Sequence, residues 1–271
     1  MIPTDAETLP PPLKWAGGKR WLLPYLKPIW AGHRQRRLVE PFCGGLAVAL
    51  GLDPDRALLN DQNPHLINFY QWLQRGLRLT IERRNDSTLY YAQRTAFNAL
   101  IRSGQAFGTE AAGGEQAAQL FYYLNRTGYN GLCRFNRGGG FNVPFGKYKT
   151  INYADDFLAY VDPLRRWTFS AGPFEAIPVM ANDLIYADPP YDVEFVQYSA
   201  DGFNWQDQVR LAEWLAVLPC PVIVSNQATI RVVELYERLG FDLQFLEAPR
   251  RINSTGDRTP AREMLAVKGF S

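Results

Sequence analysis

The chain has 271 residues, 46% of them hydrophobic and 21% charged, with 29 basic against 27 acidic side chains and a net charge of +2. That length can bury a sizeable core in one large domain or two modest ones, and that composition excludes disorder. The apolar runs fall short of the roughly 18 to 20 residues that cross a bilayer, and the N-terminus lacks the basic and apolar regions of a signal peptide.

Three widely spaced cysteines (Cys43, Cys133, Cys220) match neither a disulfide framework nor a zinc site, so a cytoplasmic, metal-free protein is expected. Along the chain, Arg37 to Glu40 reads as a strand ended by Pro41. A tight turn at Phe42-Cys43-Gly44-Gly45 follows, and Leu46 to Leu50 begins a helix. A second strand, Arg56 to Asn60, leads into Asp61 and a helix from Pro64 to Gln74. This strand–turn–helix–strand–acid order is how a doubly wound sheet begins. Tyr90 to Ser103 reads as an amphipathic helix with Tyr91, Ala92, Thr95, Ala96, Ala99 and Leu100 on one face, and Gly104 to Gly114 as a loop.

From Gln116 to Ala154 there is no acid, while Arg126, Arg134, Arg137, Lys147 and Lys149 are interleaved with Phe121, Tyr122, Tyr123, Tyr129, Phe135, Phe141, Phe145 and Tyr148. Basic and aromatic residues in a Gly-rich setting suit a nucleic-acid surface. A β-hairpin turning at Gly138-Gly139-Gly140 accounts for the same pattern, and a hairpin can carry the contacts. Of the basic residues, 23 are Arg and 6 are Lys; a GC-rich genome or a need for bidentate phosphate and guanine donors would each produce that bias. Strands resume at Trp167 to Ser170, Asp183 to Ala187, Val222 to Val224 and Phe241 to Phe245, alternating with helices at Gln206 to Val217 and Ile230 to Leu239. The expected architecture is an α/β domain interrupted by a helical and hairpin insert.

The sharpest motif is Asp188-Pro189-Pro190-Tyr191, directly after a buried strand. Two prolines stop the strand, leaving a carboxylate, the Pro189 carbonyl and an aromatic face at the carboxyl edge, where open α/β sheets bind ligands. Two acceptors and a stacking ring suit a planar exocyclic amine such as adenine N6. Glu40-Pro41-Phe42-Cys43-Gly44-Gly45 lies after another strand, and Asp61 at the next strand end could bind a ribose or an amino-acid group. The chain lacks a GxGxxG at that turn, which favours a smaller nucleoside ligand over a dinucleotide. Leu13-Lys14-Trp15-Ala16-Gly17-Gly18-Lys19 offers a ring and a cation to a ligand, or a packed terminal segment.

From Lys14 to about Val267 these motifs, in this order, resemble the Dam-type, or D12 class, DNA adenine-N6 methyltransferases. The resemblance implies a Rossmann-like, S-adenosylmethionine-dependent methyltransferase sheet (α/β) built from 1–69 and 155–271, with 70–154 as an inserted helical and β-hairpin DNA-recognition domain. It implies that Trp15, Lys19, Glu40, Phe42, Gly44, Asp61 and Asp188 hold S-adenosyl-L-methionine, and that Asp188, Pro189 and Tyr191 are catalytic. Asn125-Arg126-Thr127-Gly128-Tyr129-Asn130-Gly131, continuing to Phe141-Asn142-Val143-Pro144-Phe145-Gly146, resembles the family's DNA-contacting hairpin, with Arg126, Tyr129, Asn130, Arg134 and Asn136 facing DNA. Ser225-Asn226 and Arg251-Ile252-Asn253-Ser254 resemble its later blocks, and Arg251 and Asn253 join the DNA set. The family's Asp-Phe before the catalytic strand is replaced by Ser170-Ala171-Gly172-Pro173-Phe174-Glu175, so no residue is assigned to the cofactor adenine.

The expected reaction is methylation of a flipped adenine in double-stranded DNA at GATC or a related site, by a monomer without metal. Pro219-Cys220 imitates the nucleophile of cytosine-C5 methyltransferases, but the apolar run after it points to a buried strand start. His33 and His65 have no partners at ligand spacing and read as surface or cap residues. Arg34, Arg36 and Arg37 read as a solvated end, with contact to the DNA backbone as the alternative, and Arg250, Arg251 and Arg258 as either a phosphate clamp or a charged loop. Cytosine N4 methylation and a catalytically dead DNA-binding protein are the alternatives. The first more often carries Ser in place of Asp188; the second has no need of an intact Asp188, Asp61 and Lys19 together.

Overall fold

The computed structural model describes residues 9–108, 112–154, 156–192, 203–248 and 261–270. In chain order the elements are α1 (Leu23–Ala31), β1 (Arg37–Glu40), α2 (Ala47–Leu52), β2 (Ala57–Asp61), α3 (Pro64–Gln74), α4 (Ser87–Arg102), α5 (Ala112–Thr127), α6 (Leu158–Arg165), β3 (Trp167–Ala171), β4 (Asp183–Ala187), α7 (Trp205–Ala216), β5 (Val222–Gln227), α8 (Ile230–Arg238), β6 (Asp242–Ala248) and β7 (Ala261–Lys268). They group into two compact units, one of Met1–Leu23, Gly44–Asp53 and Asp61–Gly172, the other of Pro24–Cys43, Pro54–Asn60 and Pro173–Ser271.

The strands form a seven-stranded sheet in the order β3-β2-β1-β4-β5-β7-β6. Parallel registers pair Glu40 with Leu59, Val39 with Ile185 and Ala187 with Val224, whereas β7 runs antiparallel between β5 and β6. A parallel register brings strand ends to one edge, so the residues that close β1, β4 and β5 gather there. The opposite end is pinned by Arg37, whose guanidinium donates to both oxygens of the fully buried Asp183 at 2.9 and 2.8 Å. Arg36 donates to the carbonyls of Ala181 and Asp183. The solvated end expected at Arg36 and Arg37 is thus a clamp, because Asp183 needs a paired cation once the sheet covers it. The core of the sheet unit is aliphatic, built on Val39, Ile185, Val222, Val224, Leu211, Leu215 and Leu235.

The other unit has an aromatic core, in which Phe69, Tyr70, Tyr90, Phe97, Phe121, Tyr122, Tyr123 and Phe157 are buried. Asn63 caps α3 by accepting from the N–H groups of His65 and Leu66, with Pro64 at the first helical position. Asp86 caps α4 through Leu89 N. Tyr90 and Phe97 face the core on α4, while Tyr91 is 43% exposed; the buried face is therefore offset from the expected one, because the two large rings outweigh the run of alanines. The expected loop over Gly104 to Gly114 ends early, since α5 already includes Gly113 and Gly114. Phe121, Tyr122 and Tyr123 are core residues of this helix rather than a nucleic-acid surface.

The expected hairpin beyond α5 is held by two isolated antiparallel bridges, Gly128 to Phe145 and Phe135 to Phe141, rather than by a strand ladder. Its tip is closed by the Asn136 side chain, which accepts from the N–H groups of Gly138 and Gly140 at 3.0 Å. Asn142 N donates to Arg134 O at 3.1 Å. Pro144 and the three glycines deprive a ladder of donors and side chains, and the Asn side chain supplies the turn instead. Among the described residues no helix is long and apolar enough to cross a membrane.

Candidate active site

All five residues of β4 are buried, and Asp188 emerges directly after them. Its Oδ1 accepts from the Ser225 hydroxyl at 2.9 Å, and that hydroxyl lies 2.8 Å from the Tyr186 hydroxyl. The pairing of Ala187 with Val224 places Ser225 one step further on, level with Asp188. Pro190 is fixed through its carbonyl, which accepts from Gln208 Nε2 at 2.7 Å, and Gln208 is itself held by Asn226 Nδ2 at 3.0 Å. Tyr191 OH donates to Glu263 Oε1 at 2.5 Å. Asp192 pairs with Arg231, whose guanidinium lies over the Trp205 ring. Side chains of β5, α7, β7 and α8 thus tie down the segment that two prolines had freed from the ladder.

The electrostatics of this segment favour neutral phenols. Burial, then the charges of Asp188 and Glu263, raise the Tyr191 hydroxyl far above its ordinary range, so it remains a donor. Tyr186 is raised by burial first, then by Asp188, with a smaller contribution from Glu40. Glu40, the last residue of β1, is 2% exposed, so a second carboxyl group closes the same edge as Asp188. Phe42 packs edge-on against Phe203 and also meets Phe174. Phe174, within the stretch that departs from the family's Asp-Phe, is buried against Trp214.

In the other unit, Asp61 ends β2, and its two oxygens accept from Gly44 N at 3.1 Å and Asn63 N at 2.9 Å. Burial raises its pKa above the ordinary carboxylate value, and those N–H groups oppose the rise. Gly44 has φ +43, and a Cβ placed there would sit 2.8 Å from Trp15 Nε1; a Cβ on Gly45 would sit 2.8 Å from Trp15 Cβ. The two glycines are what let the indole lie against the turn. Tyr70 OH fixes the turn from behind by donating to Gly44 O at 2.6 Å. Lys19 is buried, with its ammonium donating to Gly17 O at 3.1 Å. Trp15, Gly44 and Asp61 come together in this way, while Glu40, Phe42, Asp188, Pro189 and Tyr191 belong to the sheet unit. A ring, an acid and a backbone-lined turn fit a cationic nucleoside: the acid can accept from hydroxyl or amine groups, and the ring gives a stacking or cation–π face.

Of the residues expected to face DNA, Tyr129 (50% exposed), Asn130, Arg134 and Asn136 are exposed on the turn segment. Arg134 is braced by Asn142 Oδ1 at 2.7 Å. Arg126 is half-buried in the last turn of α5 and donates to Asn152 O. Arg251 and Asn253 lie outside the described residues, as do Arg250 and Arg258. Asn125, in the same block, is buried: it accepts from Lys14 N at 2.9 Å and donates to Lys14 O and Gly131 O. It therefore pins the Lys14-Trp15 strap to the turn segment. Sequence reasoning missed this role, and it missed Glu263; an acid isolated in the apolar run of β7 was the available signal. His65, expected at a surface or cap, is buried among Phe97, Phe107 and Phe135. Burial also pushes the Cys220 thiol up to about 11, which suits a buried small residue and not a nucleophile. Among the described residues no three metal-ligating side chains come together.

A sheet of this order is Rossmann-like, and it sets an acid, two prolines and a ring at the carboxyl edge where open α/β sheets bind ligands. A family model for the D12 class N6 adenine-specific DNA methyltransferase matches residues 15–252. The chain is 37% identical to the retron Ec67 DNA adenine methylase of Escherichia coli, over 95% of this chain and 90% of that protein. It is 34% identical to the DNA adenine methylase of Escherichia coli K12, with 94% of each covered. It is also 32% identical to the type II methyltransferase M1.LlaDCHI of Lactococcus lactis, with 92% of each covered. The chain belongs to the D12 class of adenine-N6 DNA methyltransferases.

Proposed function

We propose that the chain methylates the N6 amine of an adenine flipped out of double-stranded DNA, at GATC or a related site, with S-adenosyl-L-methionine as donor. The observation that carries this reading is the Asp188 carboxylate, held by Ser225 at the edge of the sheet beside an anchored Tyr191. When bound, S-adenosyl-L-methionine supplies a methyl carbon on a sulfonium, open to in-line attack by an amine.

Asp188 and the Pro189 carbonyl accept the two N6 hydrogens and draw the nitrogen lone pair out of conjugation. Tyr191 offers its face to the purine, which helps offset the few kcal/mol that flipping costs. Trp15, Lys19, Glu40, Phe42, Gly44 and Asp61 hold the donor; Lys19 suits its carboxylate and Asp61 its ribose. Positioning and electrostatics carry the catalysis, and no covalent enzyme intermediate forms. Residues 70–154 recognise the target, with Arg126, Tyr129, Asn130, Arg134 and Asn136 on the DNA, joined by Arg251 and Asn253. The GATC assignment is supported by the likeness of the segment from Asn125 to Lys147 to the Dam-type block.

Asp188→Ala tests the mechanism. Turnover is expected to vanish while duplex affinity stays within about tenfold, since phosphate contacts dominate affinity. An active variant would overturn the role given to Asp188.

A further inference from the structure

Glu263 has no place in the reaction as described, yet it is 6% exposed within a strand otherwise rich in apolar residues. Its register partners are Gln227 on β5 and Leu246 on β6, so the backbone sets where its carboxyl group points. The Tyr191 hydroxyl donates to it at 2.5 Å, across 72 residues of sequence. That bond fixes the phenol end of the ring, and a stacking platform needs its ring torsions fixed.

We propose that Glu263 is a positioning residue for methyl transfer: it holds Tyr191 by the phenol so that the ring face meets the target base in one orientation. The proposal rests on Tyr191 being the face on which the flipped adenine stacks. It also has an electrostatic side. As the N6 nitrogen takes the methyl group from the sulfonium, which would leave as a neutral thioether, it becomes cationic until the Asp188 carboxylate accepts its proton, and a ring hydrogen-bonded to a carboxylate presents a more electron-rich face to that charge. The phenol keeps its proton under the burial and the neighbouring charges, so the bond runs from Tyr191 to Glu263 and not the reverse.

A double-mutant cycle read by single-turnover methylation of a duplex oligonucleotide tests this. Glu263→Leu and Tyr191→Phe are each expected to slow the chemical step about tenfold, what loss of a charge-assisted hydrogen bond commonly gives. The double variant should be no slower than either single one within about twofold, because both changes remove one interaction. Glu263→Gln, which can still accept, should recover part of the loss. KM for the donor should hold in every variant. Equal slowing by Glu263→Leu in wild-type and Tyr191→Phe backgrounds would overturn the proposal, as would a full-speed Tyr191→Phe beside a slow Glu263→Leu. Should Glu263→Leu fail to fold, Tyr191→Phe and Glu263→Gln decide alone, and wild-type rates in both would overturn it. Tyr191→Ala separates the two levels: if it methylates normally, the stacking role itself fails, whatever Glu263 does.

Discussion

At Gly44 one hydrogen atom keeps the indole of Trp15 against the turn. Gly44→Ala would set a Cβ 2.8 Å from Trp15 Nε1 at a φ of +43. Left-handed backbone costs a side-chain-bearing residue about 1 to 2 kcal/mol, and the ring has to move as well. Titration calorimetry is expected to show donor affinity down by about tenfold or more, while duplex affinity holds. Unchanged donor affinity would remove this turn from the cofactor site. The motif reading singles out Gly44, Asp61 and Asp188 because each stands at or just beyond a strand end, a position that strand pattern and turn residues reveal. Ser225, Asn125 and Glu263 act through contacts 37, 111 and 72 residues distant in sequence, and no local pattern encodes such pairings.

On the scale of elements, α3 carries the acid-turn-helix junction and also a buried histidine. His65 stacks on Phe135 at 4.8 Å, and burial lowers its pKa from 6.5 to about 4. Because the folded value is the lower one, the unfolded chain binds the proton first as pH falls. Stability is fully present above about pH 6.5, falls between there and about pH 4, and then levels off. Between pH 7 and pH 5 this group alone is expected to remove about 2 kcal/mol. Urea denaturation at the two pH values should show His65→Phe losing that much less than the wild type. Equal losses would mean that His65 is not buried neutral. Periodicity placed α3 from Pro64 to Gln74 with both ends right, since Asn63, Pro64 and the apolar spacing agree. On α4 it named the wrong face, because small alanines follow the helical period without filling a core that Tyr90 and Phe97 fill.

For the whole molecule, the sheet unit was largely legible: β1, β2, β4 and β5 fall on the expected runs within a few residues. The closing antiparallel β7 and the helices α1, α5 and α6 were not: Pro28 lies inside α1 and Pro163 inside α6, α5 lies mostly in the window read for charge, and the unbroken apolar run of β7 lacks the alternation of a half-buried strand. The net charge of +2 hides an uneven distribution, with the acid-free stretch from Gln116 to Ala154 at one end of it. Arg134, exposed there, is expected to contact phosphate. Arg134→Ala should reduce the salt slope of duplex binding by about one unit, and an unchanged slope would take it off the backbone-contact set.

The proposed function turns on the chemistry at Asp188. Duplex DNA containing GATC, incubated with the protein and methyl-labelled S-adenosyl-L-methionine, then digested to nucleosides, tests it most directly. The label is predicted to appear in N6-methyladenine from one defined site. Label in N4-methylcytosine alone, or none in DNA, would contradict the account.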